Sequence, residues 1–370
     1  MKTECAFAII KIRVRVRTYI VNNKGEGEMK IGIVLFTAIN AVLPIILLII
    51  LGYILKEKKF LNENFVKVGN SLVFNVCLPA MLFVNVYDIE GLAVIRWDIV
   101  MYCVVAILLI FIVGFLAAIA CTSVPERRGV ILQCVFRSNF AIIGLPLAGA
   151  LGGSEAMAIA AVISAFTIPV FNILAVISLS VFIEGADGEK ASVKKILTNI
   201  IKNPLIIGVL LGLVCVLIRT LQIEQFGYVA FSIKNQMKFL YVALSNLKSA
   251  TSPLALIVLG AQFEFSAVKG LRKEIVTGVI LRVLFAPALG LGLVILLSNC
   301  TTWIRCGVNE FPALIALFGS PVAVSSAVMA RSMKNDEQLA TQLVVWTSIA
   351  SIFTIIAIVS ILMMFGYLRV

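Results

Sequence analysis

Apolar residues in this chain come in long unbroken runs rather than in alternation with polar ones. Ten stretches lie near residues 33–55, 65–86, 99–121, 129–151, 156–182, 203–218, 239–261, 275–298, 311–331 and 341–364. A helix needs about 20 apolar residues to cross a bilayer core. Continuous runs argue against a membrane β-barrel, whose strands alternate. The pattern predicts an all-α integral membrane protein of ten transmembrane helices.

Two of the runs are interrupted in the same way. Cys134–Pro146 carries Gly144-Leu145-Pro146, and Phe311–Pro321 ends in Gly319-Ser320-Pro321. Each follows an apolar segment with its own proline: Pro79 precedes Pro146 by 67 residues, and Pro253 precedes Pro321 by 68. Proline removes a backbone donor and clashes with the carbonyl four residues back. Doubled interruptions at corresponding positions point to the substrate site of an inverted-repeat transporter. The half-helix after each break would aim its amides and positive dipole end at the gap, making an anion-favouring spot. A simple kink is the competing reading for either break alone.

Charge fixes the expected orientation. From Met29 onward, 15 Lys and Arg fall in alternate loops, among them Lys56, Arg127, Lys194, Arg272 and Arg331. The opposite side carries 7, including Lys30, Arg96, Arg219 and Arg305. Cytoplasmic loops are enriched in cations, so both termini are expected outside a cell membrane. Five spans per half is odd, so two halves in series insert with opposite orientation. The expected layout is a first inverted repeat over 29–182, a cytoplasmic linker over 183–202, and a second over 203–370, with crossing helices four and nine broken. Net charge is +12, but loop topology explains the cations without nucleic acid. Residues 1–28 add six cations on the wrong side and lack the apolar core of a signal peptide. They read as a non-native or disordered leader. Lys24-Gly25-Glu26-Gly27-Glu28 back-translates to a purine-rich ribosome-binding site, so a bacterial start near Met29 is expected; a native peptide from residues 5–20 would contradict it.

Chemistry inside the spans is sparse. The chain has no histidine and no Cys-x-x-Cys, so no metal, cofactor or enzymatic centre is expected. Hydrophobic residues make up 61% and charged residues 14%. Acids stand at span edges (Asp88, Asp98, Glu264, Glu310), which weakens a cation antiporter built on buried carboxylates. Asn139 can meet a carboxylate or make an interhelical hydrogen bond. Asn75 and Gln262 face the same choice. Arg137 is a candidate anion attractor, with snorkelling as the alternative. Lys248 is placed to snorkel, and Arg282 to pair with a backbone carbonyl. Gly149-x-x-x-Gly153 and Gly208-x-x-x-Gly212 allow close helix packing. Cys300 and Cys306 share an outer loop as a disulfide or as free thiols.

Several segments together resemble the auxin efflux carrier family, in its branch of bacterial organic-acid permeases. They are Thr37–Pro44, Gly52-Tyr53-Ile54-Leu55, Leu72–Phe83, Arg137-Ser138-Asn139 with Gly144–Leu147, Pro253–Ala261, Pro321–Ala330 and Trp346–Ser351. The resemblance spans residues 30–364. It implies a scaffold of spans one, two, six and seven, often dimeric, and an elevator-like moving domain of the others. Substrate would sit where spans four and nine cross, beside Gly144, Pro146, Gly319, Ser320 and Pro321, with Asn139, Arg137 and Asn75 completing the candidate site. The linker is short, unlike that of the large plant carriers, so malate, malonate or another small acid is expected rather than auxin. The resulting expectation is a secondary transporter of a small organic anion. A sodium- or proton-coupled carrier of related architecture, or a transport-inactive sensor, are the alternatives.

Overall fold

The computed structural model describes residues 43–88, 96–183, 198, 201–301, 303–304 and 306–368. The leader, Met29 and most of the linker lie outside these residues. The described backbone is helical, and its one β-bridge joins Ser138 to Val322. Helix α1 covers residues 43–57. Then follow α2 (Glu63–Leu72), α3 (Leu78–Tyr87), α4 (Trp97–Cys121), α5 (Pro125–Phe136) and α6 (Leu145–Val181). The second half holds α7 (Pro204–Phe226), α8 (Ile233–Gln236), α9 (Lys238–Gln262), α10 (Ala267–Ile280), α11 (Ala286–Cys300), α12 (Phe311–Gly319), α13 (Ser325–Ser332) and α14 (Glu337–Met364).

Among the described residues, 7 helical segments are long and apolar enough to cross a membrane. Ten were expected from the sequence; part of the difference lies in the range of described residues and part in the backbone. The first span is described only from residue 43. The fourth and ninth are broken, so α5, α12 and α13 are short. The chain beyond the first break then runs through Gly152 and Gly153 into the fifth span. Those two residues leave helical geometry, Gly153 at φ 70°, which only glycine adopts without strain. Gly153 therefore serves a turn, while Gly149 stays helical and packs close to Met157 beyond that turn. Gly208 and Gly212 do face α3: a methyl at Gly208 would lie 2.5 Å from Pro79 O, and one at Gly212 2.8 Å from Val86 Cβ. Gly52 and Gly260 likewise bring α1 and α9 into backbone contact, each against a carbonyl of the other helix.

Three five-residue π-helical turns interrupt the spans, at Val73–Cys77, Phe140–Gly144 and Leu281–Phe285. Each ends two residues before a proline: Pro79, Pro146 and Pro287. The amides of Leu78, Leu145 and Ala286 reach back five residues to Val73, Phe140 and Leu281. The widened turn accommodates the proline ring and its missing donor, so the helix continues. This overturns the break expected at Gly144-Leu145-Pro146. Gly144 (φ −64°, ψ −48°) is helical. What it provides is closeness: a methyl there would strike the Phe140 ring and lie 3.1 Å from Ala316 O.

Large apolar side chains such as Leu210, Leu211, Val214 and Leu217 on α7 stand exposed. A soluble monomer rarely exposes so much contiguous apolar surface. These faces, together with the apolar spans, describe a multi-pass membrane protein. Cys300 and Cys306 are both free thiols.

Candidate functional site

The first true break is Arg137-Ser138-Asn139, seven residues before Gly144. Arg137 (ψ 102°) ends α5, and Asn139 (ψ 49°) precedes the next helical turn. The second break begins at Ser320 (ψ 149°), directly after α12. The two broken strands pair antiparallel. Asn139 N donates to Pro321 O at 2.8 Å, and Ala323 N donates to Arg137 O at 3.2 Å. Val322 N donates to Thr347 Oγ1 on α14 at 3.2 Å. Backbone groups freed inside a membrane need such partners.

The carbonyls at the ends of α5 and α12 are left over, as at any helix C-terminus. Ser320 Oγ donates to Ala316 O at 2.6 Å. Arg282 takes most of the rest. Its Nε and Nη2 donate to Ser320 O at 2.9 and 2.6 Å. Its Nη1 reaches Val135 O and Phe136 O at 3.2 and 3.4 Å. Nη2 also reaches Leu317 O and Phe318 O at 3.4 and 3.2 Å. Arg282 is 1% exposed and pairs with no acidic side chain among the described residues. The helix dipoles compensate it: each C-terminus carries about −0.5 charge, so two offset about one guanidinium.

Arg137 lies on the opposite side of the crossing, 4% exposed. Its Nη2 donates to Asn172 Oδ1 at 2.8 Å, and its Nη1 meets Met329 Sδ. No acidic side chain among the described residues pairs with it. Arg127, at the start of α5, takes Glu274 at 2.9 Å and Asp336 at 3.0 Å, and Lys248 takes Asp88 at 3.4 Å. The helical turns that follow the breaks start at Phe140 and Ser325 and border a cleft that Arg137 also lines, each N-terminus worth about +0.5 charge. Among the described residues no carboxylate lines this cleft.

The cleft is narrow and partly open to solvent. One wall comes from the breaks: Arg137, Ser138, Asn139, Ala141, Ile142, Ala323, Val324 and Ser325. The facing wall comes from α3 (Leu78, Met81, Leu82), α7 (Leu205) and α9 (Thr251, Ser252, Ala255). Ile168, Phe171 and Asn172 of α6 complete the lining. Asn139 Nδ2 and Ser138 Oγ are buried without a partner. Neither helix entering from the breaks has a side-chain cap. The arrangement offers a cation, an amide donor, several hydroxyls and two helix N-termini against a lining that is otherwise mostly apolar.

The expected site residues separate into three groups. Arg137 and Asn139 line the cleft. Gly319, Ser320 and Pro321 build the crossing behind it, where Ser320 and Pro321 supply carbonyls to Arg282 and Asn139 N. Gly144 packs under Phe140, and Pro146 is exposed on the outside of its helix, so neither lines the cleft. Asn75 is exposed elsewhere. It donates to Ser71 O at 2.9 Å and borders an apolar groove with Pro79, Phe83, Ile207 and Leu211. Sequence reasoning missed Ser138, Thr251, Ser252 and Ser325. Their signal was nearness to the prolines and the polar triplet: Thr251 and Ser252 stand directly before Pro253, and Ser325 four residues after Pro321.

Comparison with known proteins finds membrane transporters. The model of the family described as membrane transport protein matches residues 37–359. An uncharacterized transporter of Methanocaldococcus jannaschii is 24% identical over 238 residues, covering 62% of this chain and 70% of its own. An uncharacterized transporter of Methanothermobacter thermautotrophicus is 28% identical over 127 residues, covering 32% of this chain and 39% of its own. With the family match running through both broken helices and nearly every span, the chain belongs to the membrane transport protein family, the auxin efflux carrier group.

Proposed function

We propose that this protein is a secondary transporter of a small organic anion, and that Arg137 holds the substrate carboxylate. The observation that carries the reading is a buried guanidinium with no acidic partner among the described residues, lining a cleft that two helix N-termini border. An intramembrane charge of this kind marks a substrate path. Arg137 and the two N-termini sum to about two positive charges. A dicarboxylate such as malate or malonate would balance them, with Asn139 Nδ2 and Ser138 Oγ donating to its oxygens.

The cleft lies between two groups of helices, and this supports an elevator-type motion. In this reading α1–α3, α7 and α9 form a scaffold that dimerises. The remaining long helices carry the substrate across. The chain then comprises two inverted five-helix repeats, 29–182 and 203–370, with ten spans in the cell membrane and both termini outside.

The test is uptake of labelled malate and malonate into proteoliposomes, with lactate for comparison. Saturable dicarboxylate uptake that Arg137→Gln or Asn139→Ala abolishes in folded protein is the expected result. Uptake unchanged in Arg137→Gln would sink the proposal. So would a flux set only by sodium or pH without an organic anion.

A further inference from the structure

Arg282 occupies a place that in other carriers belongs to an ion. In transporters with discontinuous helices, half-helix C-terminal ends and unwound carbonyls coordinate the coupling cation. Here the ends of α5 and α12, with Ser320 between them and the break, turn five carbonyls to one point. The Arg282 guanidinium fills that point with donors aimed at all five. The side chain comes from a third segment, the π turn at Leu281–Phe285, which widens α10 next to the crossing. Among the described residues no carboxylate shares the site, so the two helix C-termini supply the negative charge.

We infer that Arg282 is a tethered cation, filling a carbonyl cage that would otherwise bind a free monovalent ion such as sodium. The cage is complete in the resting protein and needs no ion from solution. On the transport reading above, anion movement then draws nothing from a sodium gradient. The inference itself rests on the crossing geometry and not on which anion is carried. It also predicts a latent site: truncating Arg282 leaves five buried carbonyls facing a vacated pocket of negative potential, which a small cation can enter.

The test uses the purified full chain and reads cation binding and melting temperature, so it does not depend on the substrate. Wild-type protein is expected to melt at the same temperature in sodium and choline chloride and to bind no radioactive sodium. Arg282→Ala and Arg282→Gln are expected to melt lower, to regain much of the loss in guanidinium or sodium but not choline, and to bind sodium. Arg282→Lys, which restores a tethered charge, should stay indifferent to sodium. If Arg282→Ala does not fold, the Gln and Lys variants decide. Three results would overturn the inference. One is a sodium-dependent rise for the wild type. The second is an Arg282→Gln protein as stable as the wild type and indifferent to cations. The third is a lowered melting temperature that no cation restores, which reduces Arg282 to a neutral clamp.

Discussion

Arg137 and Arg282 sit at one crossing, both buried and both without a carboxylate among the described residues, and do opposite work. Arg282 faces two helix C-termini and donates to five carbonyls. Arg137 lines the cleft that the two helix N-termini border, and keeps one amide oxygen and a thioether sulfur. A broken helix presents one polarity on each side of its gap, and two broken helices crossing double both. The cation on the negative side completes the structure. The cation on the positive side leaves it incomplete until an anion arrives. Burial and residue type alone would have assigned both arginines the same role; the direction of the adjoining dipoles separates them.

This contrast can be broken first at Arg282. Truncating it orphans five buried carbonyls, and each unsatisfied group costs about 1–3 kcal/mol. Arg282→Ala should lose at least about 4 kcal/mol of stability, measured as the loss of folded protein on heating or by denaturant in detergent. Arg137→Gln should behave inversely. Removing one partner of a buried charge pair costs about 2–5 kcal/mol in binding, so uptake at limiting substrate should fall about 30-fold or more. Without ligand, this variant should melt at or above the wild-type temperature, because an uncompensated buried charge is gone.

Smaller substitutions sharpen the same picture. Gly144→Ala forces a methyl against Phe140 and Ala316 O, and overpacking of this kind costs about 1–3 kcal/mol. Gly319→Ala should be near neutral in melting temperature, since its nearest neighbour to a new methyl is Ile355 Cγ1 at 3.7 Å. Pro146→Ala should change transport least. Pro146 is exposed and the break lies elsewhere, so uptake should stay within about twofold of wild type, far below the tenfold change that 1.4 kcal/mol would make.

That last expectation reverses the simplest reading of the sequence and shows where legibility ended. Span positions were readable because bilayer thickness dictates run length: the expected span at 99–121 is the helix Trp97–Cys121. The second break was readable because Pro321 follows directly on Gly319-Ser320 with no helical turn to absorb it. The first was not, because Gly-x-Pro marks a break only if the preceding turn cannot widen. At Phe140–Gly144 it widens, as it does before Pro79 and Pro287. The real gap carries neither glycine nor proline. Its trace was the polar triplet Arg137-Ser138-Asn139 inside an apolar run, noticed for its chemistry and not for its backbone. Arg282 was legible as a partner for carbonyls, but not as the group that gathers two helix ends, since that depends on segments 147 and 38 residues away.

The central claim is that Arg137 is a charge awaiting its counter-ion. The most direct measurement is the melting temperature of wild type and Arg137→Gln with and without malate or malonate. The account predicts that the dicarboxylate stabilises the wild type, while Arg137→Gln starts at least as stable and gains nothing. An Arg137→Gln protein that melts well below the wild type, yet is stabilised by the anion to the same extent, would contradict it.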